Sequence, residues 1–266
     1  MDWLYQLQLE KFLLFTLVLS RVSGLVMTAP IYGTPDVPVQ VRALLAFALA
    51  LLIAPTQWGV AVAYPGSLAN YLAFLGSELL VGVVLGLGVM ILLSGVQMAG
   101  ETIGRVSGTM LAEVFDPTSG ASVPVFSHLL FMVALAVFVC IGGHRMVMAG
   151  LLDTFRSIPP GQAALPEGLA ETFVALVTQS FALGLRAATP AITALLLANL
   201  VLGLIGRTLP QLNILALGFS INSLLTFGLL MLSLGAAVWV FQQQIEPMLE
   251  DLIEMLRGAL RREWLT

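Results

Sequence analysis

The chain has 266 residues, of which 59% are apolar and 10% are charged, and its mean hydropathy is +0.99. Soluble domains carry about 25% charged residues, so this composition excludes an ordinary soluble enzyme. The net charge of −4 argues against a nucleic-acid partner, which requires a basic surface. A single cysteine, Cys140, excludes a disulfide framework and a thiolate metal centre. We therefore predict an all-α polytopic membrane protein that forms one domain over residues 1–266.

Stretches without charged residues mark the candidate membrane helices, because a hydrocarbon core about 30 Å thick needs about 20 apolar residues. Three stretches of 22, 28 and 20 residues have the length of single helices. Two longer stretches of 35 and 38 residues contain prolines, and the second has room for a re-entrant turn and one span. In chain order the five stretches are 43–77, 79–100, 117–144, 187–206 and 208–245.

The apolar run at 12–30 contains Arg21 and lacks a small-residue cleavage site, so we expect a retained helix and not a signal peptide. A central arginine costs about 3 kcal/mol on the insertion scale, which favours burial of this helix against protein. The same reasoning applies to the helix predicted at 173–205. It carries Arg186 and also Pro190, whose missing N–H frees the carbonyl of Arg186 and predicts a kink there.

Arg21, Glu78 and Arg186 are the candidate intramembrane charges. Such groups mark a transport pathway or an interhelical contact. Glu78 is predicted at the start of its helix, and no further acids follow at mid-span, so we interpret the three residues as structural contacts. A small secondary transporter with a site around these three charges is the alternative.

No pattern in the sequence indicates an enzyme, a metal site or a cofactor. His128 and His144 lie sixteen residues apart on one predicted helix, too far for one metal ion. Phosphate-binding loops and nucleophile motifs are absent from the sequence.

Glycines at four-residue spacing lie on one helix face and permit close approach of a second backbone. Gly82 and Gly86 fit ordinary helix packing, whereas Gly100, Gly104 and Gly108 lead into a polar segment. That segment, 101–124, and a second one at 153–171 are predicted connections. At 242–264 the sequence predicts an amphipathic helix that binds the membrane interface or a partner.

Four strings in this order resemble the FliR/SctT family of type III export proteins. They are RVSGLVMTAPIYG at 21–33, GETIGRVSGTMLAEVFDPTSG at 100–120, GGHRMVMAGLLDTFRSIP at 142–159 and ATPAITALLLANLVLGLIGRTLPQLNILALGFSIN at 188–222. The motif residues within them are Gly142, Gly143, His144, Pro190, Arg207, Pro210, Gln211 and Asn213. Where many members have a GFP-like turn and a lysine, this chain has Gly218, Phe219, Ser220 and Asn222, and Gly218 favours the flagellar branch over the injectisome branch.

The resemblance implies a single-copy subunit of a helical export gate in the bacterial inner membrane, at the flagellar basal body. The implied fold consists of bent helical hairpins and resembles a FliP and a FliQ joined in one chain. The implied partners are several FliP and FliQ subunits, FlhB, FlhA, proximal rod proteins, membrane lipid and unfolded export substrates, with no cofactor.

The segment at 105–124 has two interpretations. Its glycine, serine and threonine content is typical of an exposed connector. The resemblance implies instead a plug at the centre of the gate, which flexible apolar side chains and tight turns would suit. The residues proposed for the plug are Gly104, Gly108, Met110, Leu111, Phe115, Asp116 and Gly120.

Overall fold

The described part of this computed structural model consists of helices and their connections. It comprises residues 2–33, 37–60, 66–108, 125–163, 169–208 and 220–232, with isolated positions between 218 and 254. The helices are α1 (Asp2–Thr28), α2 (Val39–Ile53) with a 3₁₀ turn (Ala54–Gln57), α3 (Leu68–Ser107), α4 (Val125–Cys140), α5 (Gly143–Ser157), α6 (Leu169–Thr208) and α7 (Ser220–Leu232).

Four of the described helical segments are long and apolar enough to cross a membrane. They are Gln8–Thr28, Val39–Gln57, Leu68–Ser107 and Leu169–Thr208, and the bent pair α4 and α5 adds a fifth span if it is counted as one. The predicted class, an all-α polytopic membrane protein, is confirmed.

The prediction of one helix that carries both His128 and His144 is wrong, because α4 ends at Cys140 and α5 begins at Gly143. Gly142 lies in the left-handed region with φ of 82°, a conformation that glycine adopts without steric cost. His128 and His144 therefore lie on different helices. Residues 153–157, predicted as part of an exposed connection, form the last turn of α5.

Glu78 is predicted at the start of a helix because of its charge, but it lies inside α3. Ser67 is the N-cap of this helix, since its Oγ accepts a hydrogen bond from the backbone N–H of Asn70 at 3.2 Å. The C-terminal part of α3 extends into the predicted connection and ends before Gly108, which has φ of 77°. The charge of Glu78 does not end this helix, because it is paired inside the fold.

The chain forms two compact units. The first contains 1–91, 142–176 and 247–266, and its core includes Leu17, Val22, Leu25, Leu151 and Phe155. The second contains 92–141 and 177–246, and its core includes Leu93, Ile103, Phe138, Leu183 and Leu195. The assignment of one domain to the whole chain and the tail helix at 242–264 stay predictions, and most of that tail lies outside the described residues.

Candidate functional site

Arg21 of α1 is completely buried in the first unit, and each of its three guanidinium nitrogens donates a hydrogen bond. Its Nε donates to Glu78 Oε2 at 2.6 Å, and Nη1 donates to the Thr154 hydroxyl at 3.2 Å. Nη2 donates to the carbonyl of Ile158, also at 3.2 Å. The guanidinium carbon lies 4.3 Å from the centre of the Phe155 ring, a cation–π contact.

Glu78 is equally buried and uses both carboxylate oxygens. Oε2 accepts from Arg21, and Oε1 accepts from the backbone N–H of Gly161 at 2.8 Å. Gly161 has φ of 85°, so the turn that aims its N–H at Glu78 favours glycine. The carboxylate thus connects α1 to the turn that follows α5.

A buried ion pair is tolerated when each charge also has hydrogen-bond partners, as both charges have here. All three guanidinium nitrogens and both carboxylate oxygens are bound to named groups. We call these residues, Arg21, Glu78, Thr154, Ile158 and Gly161, the arginine cluster. Its chemistry is suited to holding three chain segments in register. The first and third resemblance strings meet in it.

Three glycines bring α1 and α3 into backbone contact beside this cluster. A Cβ atom at Gly82 would collide with the carbonyl of Arg21, and one at Gly24 would collide with the carbonyl of Leu79. A Cβ at Gly86 would collide with the side chain of Thr28. This close crossing allows the Arg21 side chain to reach α3.

The second unit has a comparable crossing between α3 and α6, which no sequence pattern predicts. A Cβ at Gly95 would collide with the carbonyl of Ser180, and one at Gly184 would collide with the backbone of Gly95. The Ser180 hydroxyl also donates to the carbonyl of Leu92 at 3.3 Å. Gly95 and Gly184 lie 89 positions apart on different helices, so they give no spacing signal in a sequence.

Two asparagines form a polar connection at the C-terminal end of α3. Asn199 Nδ2 donates to the carbonyl of Val106 at 3.0 Å, and Asn222 Nδ2 donates to Asn199 Oδ1 at 2.5 Å. The last carbonyls of a helix lack intrahelical partners, so Asn199 caps α3 from another helix. The sequence feature that could have indicated this contact is the presence of one asparagine in each of two apolar helices.

The glycine ladder lies at the same end of α3. Gly100 packs against α4, since a Cβ there would collide with the backbone of Phe126 and Ser127. Gly104 is buried, and Gly108 ends the helix with its N–H donating to the carbonyl of Arg105 at 3.2 Å. The other residues of the predicted plug lie outside the described residues. They are Met110, Leu111, Phe115, Asp116 and Gly120.

Arg186 differs from Arg21, because it is exposed on α6 and has no hydrogen bond or ion pair to the described part of the chain. Pro190 and Arg207 are exposed on the same helix, and α6 is one continuous helix through Pro190. The kink predicted at Pro190 stays a prediction.

The remaining family-motif residues are divided between α5 and a part of the chain that is not described. Gly142 and Gly143 begin α5, and His144 is partly buried, with Nδ1 unpaired among the described residues. Over the described ranges there is no group of three or more metal-binding side chains. Pro210, Gln211 and Asn213 lie outside the described residues.

The turn after α1 carries the end of the first resemblance string. The N–H of Gly33 donates to the carbonyl of Ala29 at 2.7 Å, and a Cβ at Gly33 would crowd the carbonyls of Met27 and Ala29. Tyr32 is partly buried in this turn, and burial raises the pKa of its phenol above the usual 10.0.

Comparison with known proteins identifies the family. The family model described as "Bacterial export proteins, family 1" matches residues 12–248. The chain is 35% identical to flagellar biosynthetic protein FliR of Escherichia coli over 91% of its own length and 89% of the relative. It is 30% identical to FliR of Pectobacterium carotovorum, over 90% of each chain, and 28% identical to FliR of Bacillus subtilis, over 93% and 96%. The chain belongs to the FliR family of bacterial export proteins.

Family membership confirms the resemblance drawn from the four strings, all of which lie inside the matched region. Together with the apolar helices, it makes the chain a membrane component of flagellar protein export.

Proposed function

We propose that this FliR-family chain is a structural subunit of the flagellar type III export gate. In this proposal it assembles with FliP and FliQ homologues in the bacterial inner membrane, at the flagellar basal body. The assembly forms the entry pore for unfolded flagellar proteins, and the chain itself catalyses no reaction. FlhB, FlhA and the proximal rod proteins are the further partners, and the FliP–FliQ-like fold is part of the same proposal.

The observation that carries this proposal is the family match over residues 12–248. A second observation supports the need for partners, since only 17% of the most apolar window of α6 is buried within the chain, against 61% for α3. Apolar side chains of α2 are exposed as well, among them Leu44, Leu51 and Leu52. Membrane helices bury such surfaces against lipid or against other subunits.

The plug is a further part of the proposal. We propose that the segment from about Arg105 to Pro124 closes the gate, with Met110, Leu111 and Phe115 as its apolar seal. Methionine suits a deformable seal because its side chain is flexible and makes no hydrogen-bond demand. Support comes from the described end of α3, where Gly108 turns the chain and Asn199 binds the carbonyl of Val106.

The transporter alternative receives no support from the described site. Arg21 and Glu78 bind each other and neighbouring groups with all their polar atoms, and Arg186 is not among those neighbours. The injectisome alternative is disfavoured because the relatives named above are flagellar proteins.

A complementation experiment tests the proposal. The gene of this chain is deleted from its own genome, and secretion of hook and filament proteins into the medium is measured with and without a plasmid copy. We expect secretion to stop in the deletion strain and to return with the plasmid. Normal secretion in the deletion strain would contradict the proposal.

A further inference from the structure

One face of α6 combines a cation with a long apolar surface. Residues at positions i, i+4, i+7, i+11, i+14 and i+18 of an α-helix lie on one side of it. Those positions are exposed here from Arg186 onward. The residues, which we call the α6 face, are Arg186, Pro190, Thr193, Leu197, Leu200 and Leu204.

The polar end of the α6 face offers both a charge and an acceptor. Pro190 has no N–H, so the carbonyl of Arg186 lacks its intrahelical donor. The neighbouring hydroxyls do not fill this role, because Thr189 donates to Leu185 and Thr193 donates to Thr189, at 2.7 and 2.8 Å. Arg186 is exposed, and its carbonyl lacks the donor that a residue other than proline would supply at position 190.

A lipid bilayer covers this surface poorly in either of two positions. If the hydrocarbon core is centred on α6, Arg186 lies near the midplane, where an arginine costs about 3 kcal/mol. If the core covers the charge-free stretch 187–206, Arg186 reaches the headgroups, but the exposed side chains of Val177, Phe181 and Leu185 lie outside the hydrocarbon. A protein partner removes both defects.

From this geometry we infer that the α6 face binds an apolar helix of another export subunit, and that a carboxylate on that helix pairs with Arg186. Leu197, Leu200 and Leu204, each exposed by more than 60%, pack against the apolar part of the partner helix. Inside the chain, Arg21 is neutralised in the same way by the carboxylate of Glu78, and both side chains are completely buried. This inference rests on the proposed function, because it requires an assembly.

The test places the photo-crosslinking residue benzoylphenylalanine at Leu200 of the full-length chain, in cells that express the whole export apparatus. The control position is Leu195, which is completely buried within the chain. We expect a crosslink from position 200, and none from 195, to an apolar segment of a different subunit that contains Asp or Glu. Crosslinks only to lipid, or only to a second copy of this chain, would overturn the inference.

The role of the charge is tested in the same cells with Arg186→Glu. We expect this variant to lower the crosslink yield about tenfold or more, because it sets two like charges against each other. Changing the partner carboxylate to lysine should then restore the yield, which a misfolded chain would not allow. The matched control is Arg156→Glu, at an arginine that is 82% exposed on α5. An unchanged yield in Arg186→Glu, or no recovery with the lysine, would overturn the carboxylate pairing.

Secretion by the wild-type chain separates this inference from the proposed function. If the wild-type plasmid restores secretion while the crosslinks fail as described, the inference is wrong and the proposed function stands.

Discussion

The side chains of Arg21 and Glu78 form an ion pair with 2.6 Å between Nε and Oε2, and neither side chain is accessible to solvent. The two residues are separated by 57 positions in sequence and connect α1 to α3. Because Glu78 also binds the N–H of Gly161, loss of the carboxylate affects three chain segments at once.

Replacing Glu78 by glutamine leaves the buried guanidinium without a counter-charge. Breaking one partner of a buried pair costs about 3–5 kcal/mol, so we expect a clear fall in the melting temperature of the purified complex. The control is Glu101→Gln, whose pair with Arg105 is solvent-exposed and contributes about 0–1 kcal/mol. Equal effects of the two substitutions would contradict the role of the buried pair.

The double variant Arg21→Met with Glu78→Leu extends this test. Replacing both charges by apolar groups of similar size is often neutral, because no unpaired charge remains. We expect it to recover part of the melting temperature lost in Glu78→Gln, because the Ile158 carbonyl and the Gly161 N–H still lose their partners. A double variant as unstable as the single one would show that the shape of the cluster matters more than its charge balance.

Replacing Gly82 by alanine separates α1 from α3, because the new Cβ would collide with the carbonyl of Arg21. Overpacking of this kind costs about 1–3 kcal/mol. The control is Gly76→Ala on the same helix, where a Cβ meets no atom within 4 Å. Alanine favours a helix over glycine by up to about 1 kcal/mol, so this control should be neutral or stabilising in thermal melting. A destabilised Gly76→Ala with an unaffected Gly82→Ala would contradict the proposed crossing.

The sequence identified Arg21 as a charge that requires burial against protein, but it did not identify its partner. Glu78 was assigned to a helix start because a carboxylate normally ends an apolar span. Once paired with Arg21, it is compatible with the interior of α3. Long-range pairing of this kind has no local signal in a single sequence.

The helix break at Gly142 and the exposure of Arg186 show two further limits of the sequence. A Gly-Gly pair in an apolar run fits both a packed helix and a break, and only tertiary packing decides between them. The sequence predicted that the Arg186 helix is buried against protein, yet within this chain most of α6 is uncovered. Among the described residues nothing pairs with Arg186, and a single sequence cannot display a partner on another chain.

Replacing Asn199 by leucine removes the cap of the Val106 carbonyl and the acceptor of the Asn222 amide. An unsatisfied buried group costs about 1–3 kcal/mol, so we expect a lower melting temperature of the complex. The double variant Asn199→Leu with Asn222→Leu should be less unstable than the sum of the single changes, because one unpaired amide is removed. The control is Thr208→Val, where an exposed hydroxyl bonds only to its own helix. Strict additivity of the two asparagine variants would contradict their coupling.

Deleting residues 109–122 tests the plug while keeping the cap of α3. We expect the assembled complex to conduct ions and small solutes in planar bilayers, because the seal is lost. The milder variant Met110→Ala with Phe115→Ala should leak less than the deletion, and Met132→Ala, at an exposed position of α4, should not leak. Unchanged conductance in an intact deletion complex would contradict the plug and favour an exposed connector.

The most direct test of the export-gate proposal is co-purification of this chain with the FliP and FliQ homologues of the same genome. We expect one hetero-oligomer in mild detergent that contains the chain in a single copy. The chain expressed alone should aggregate, since its α6 face and other apolar surfaces are uncovered. A monodisperse, thermally stable monomer that does not bind either homologue would contradict the proposed function.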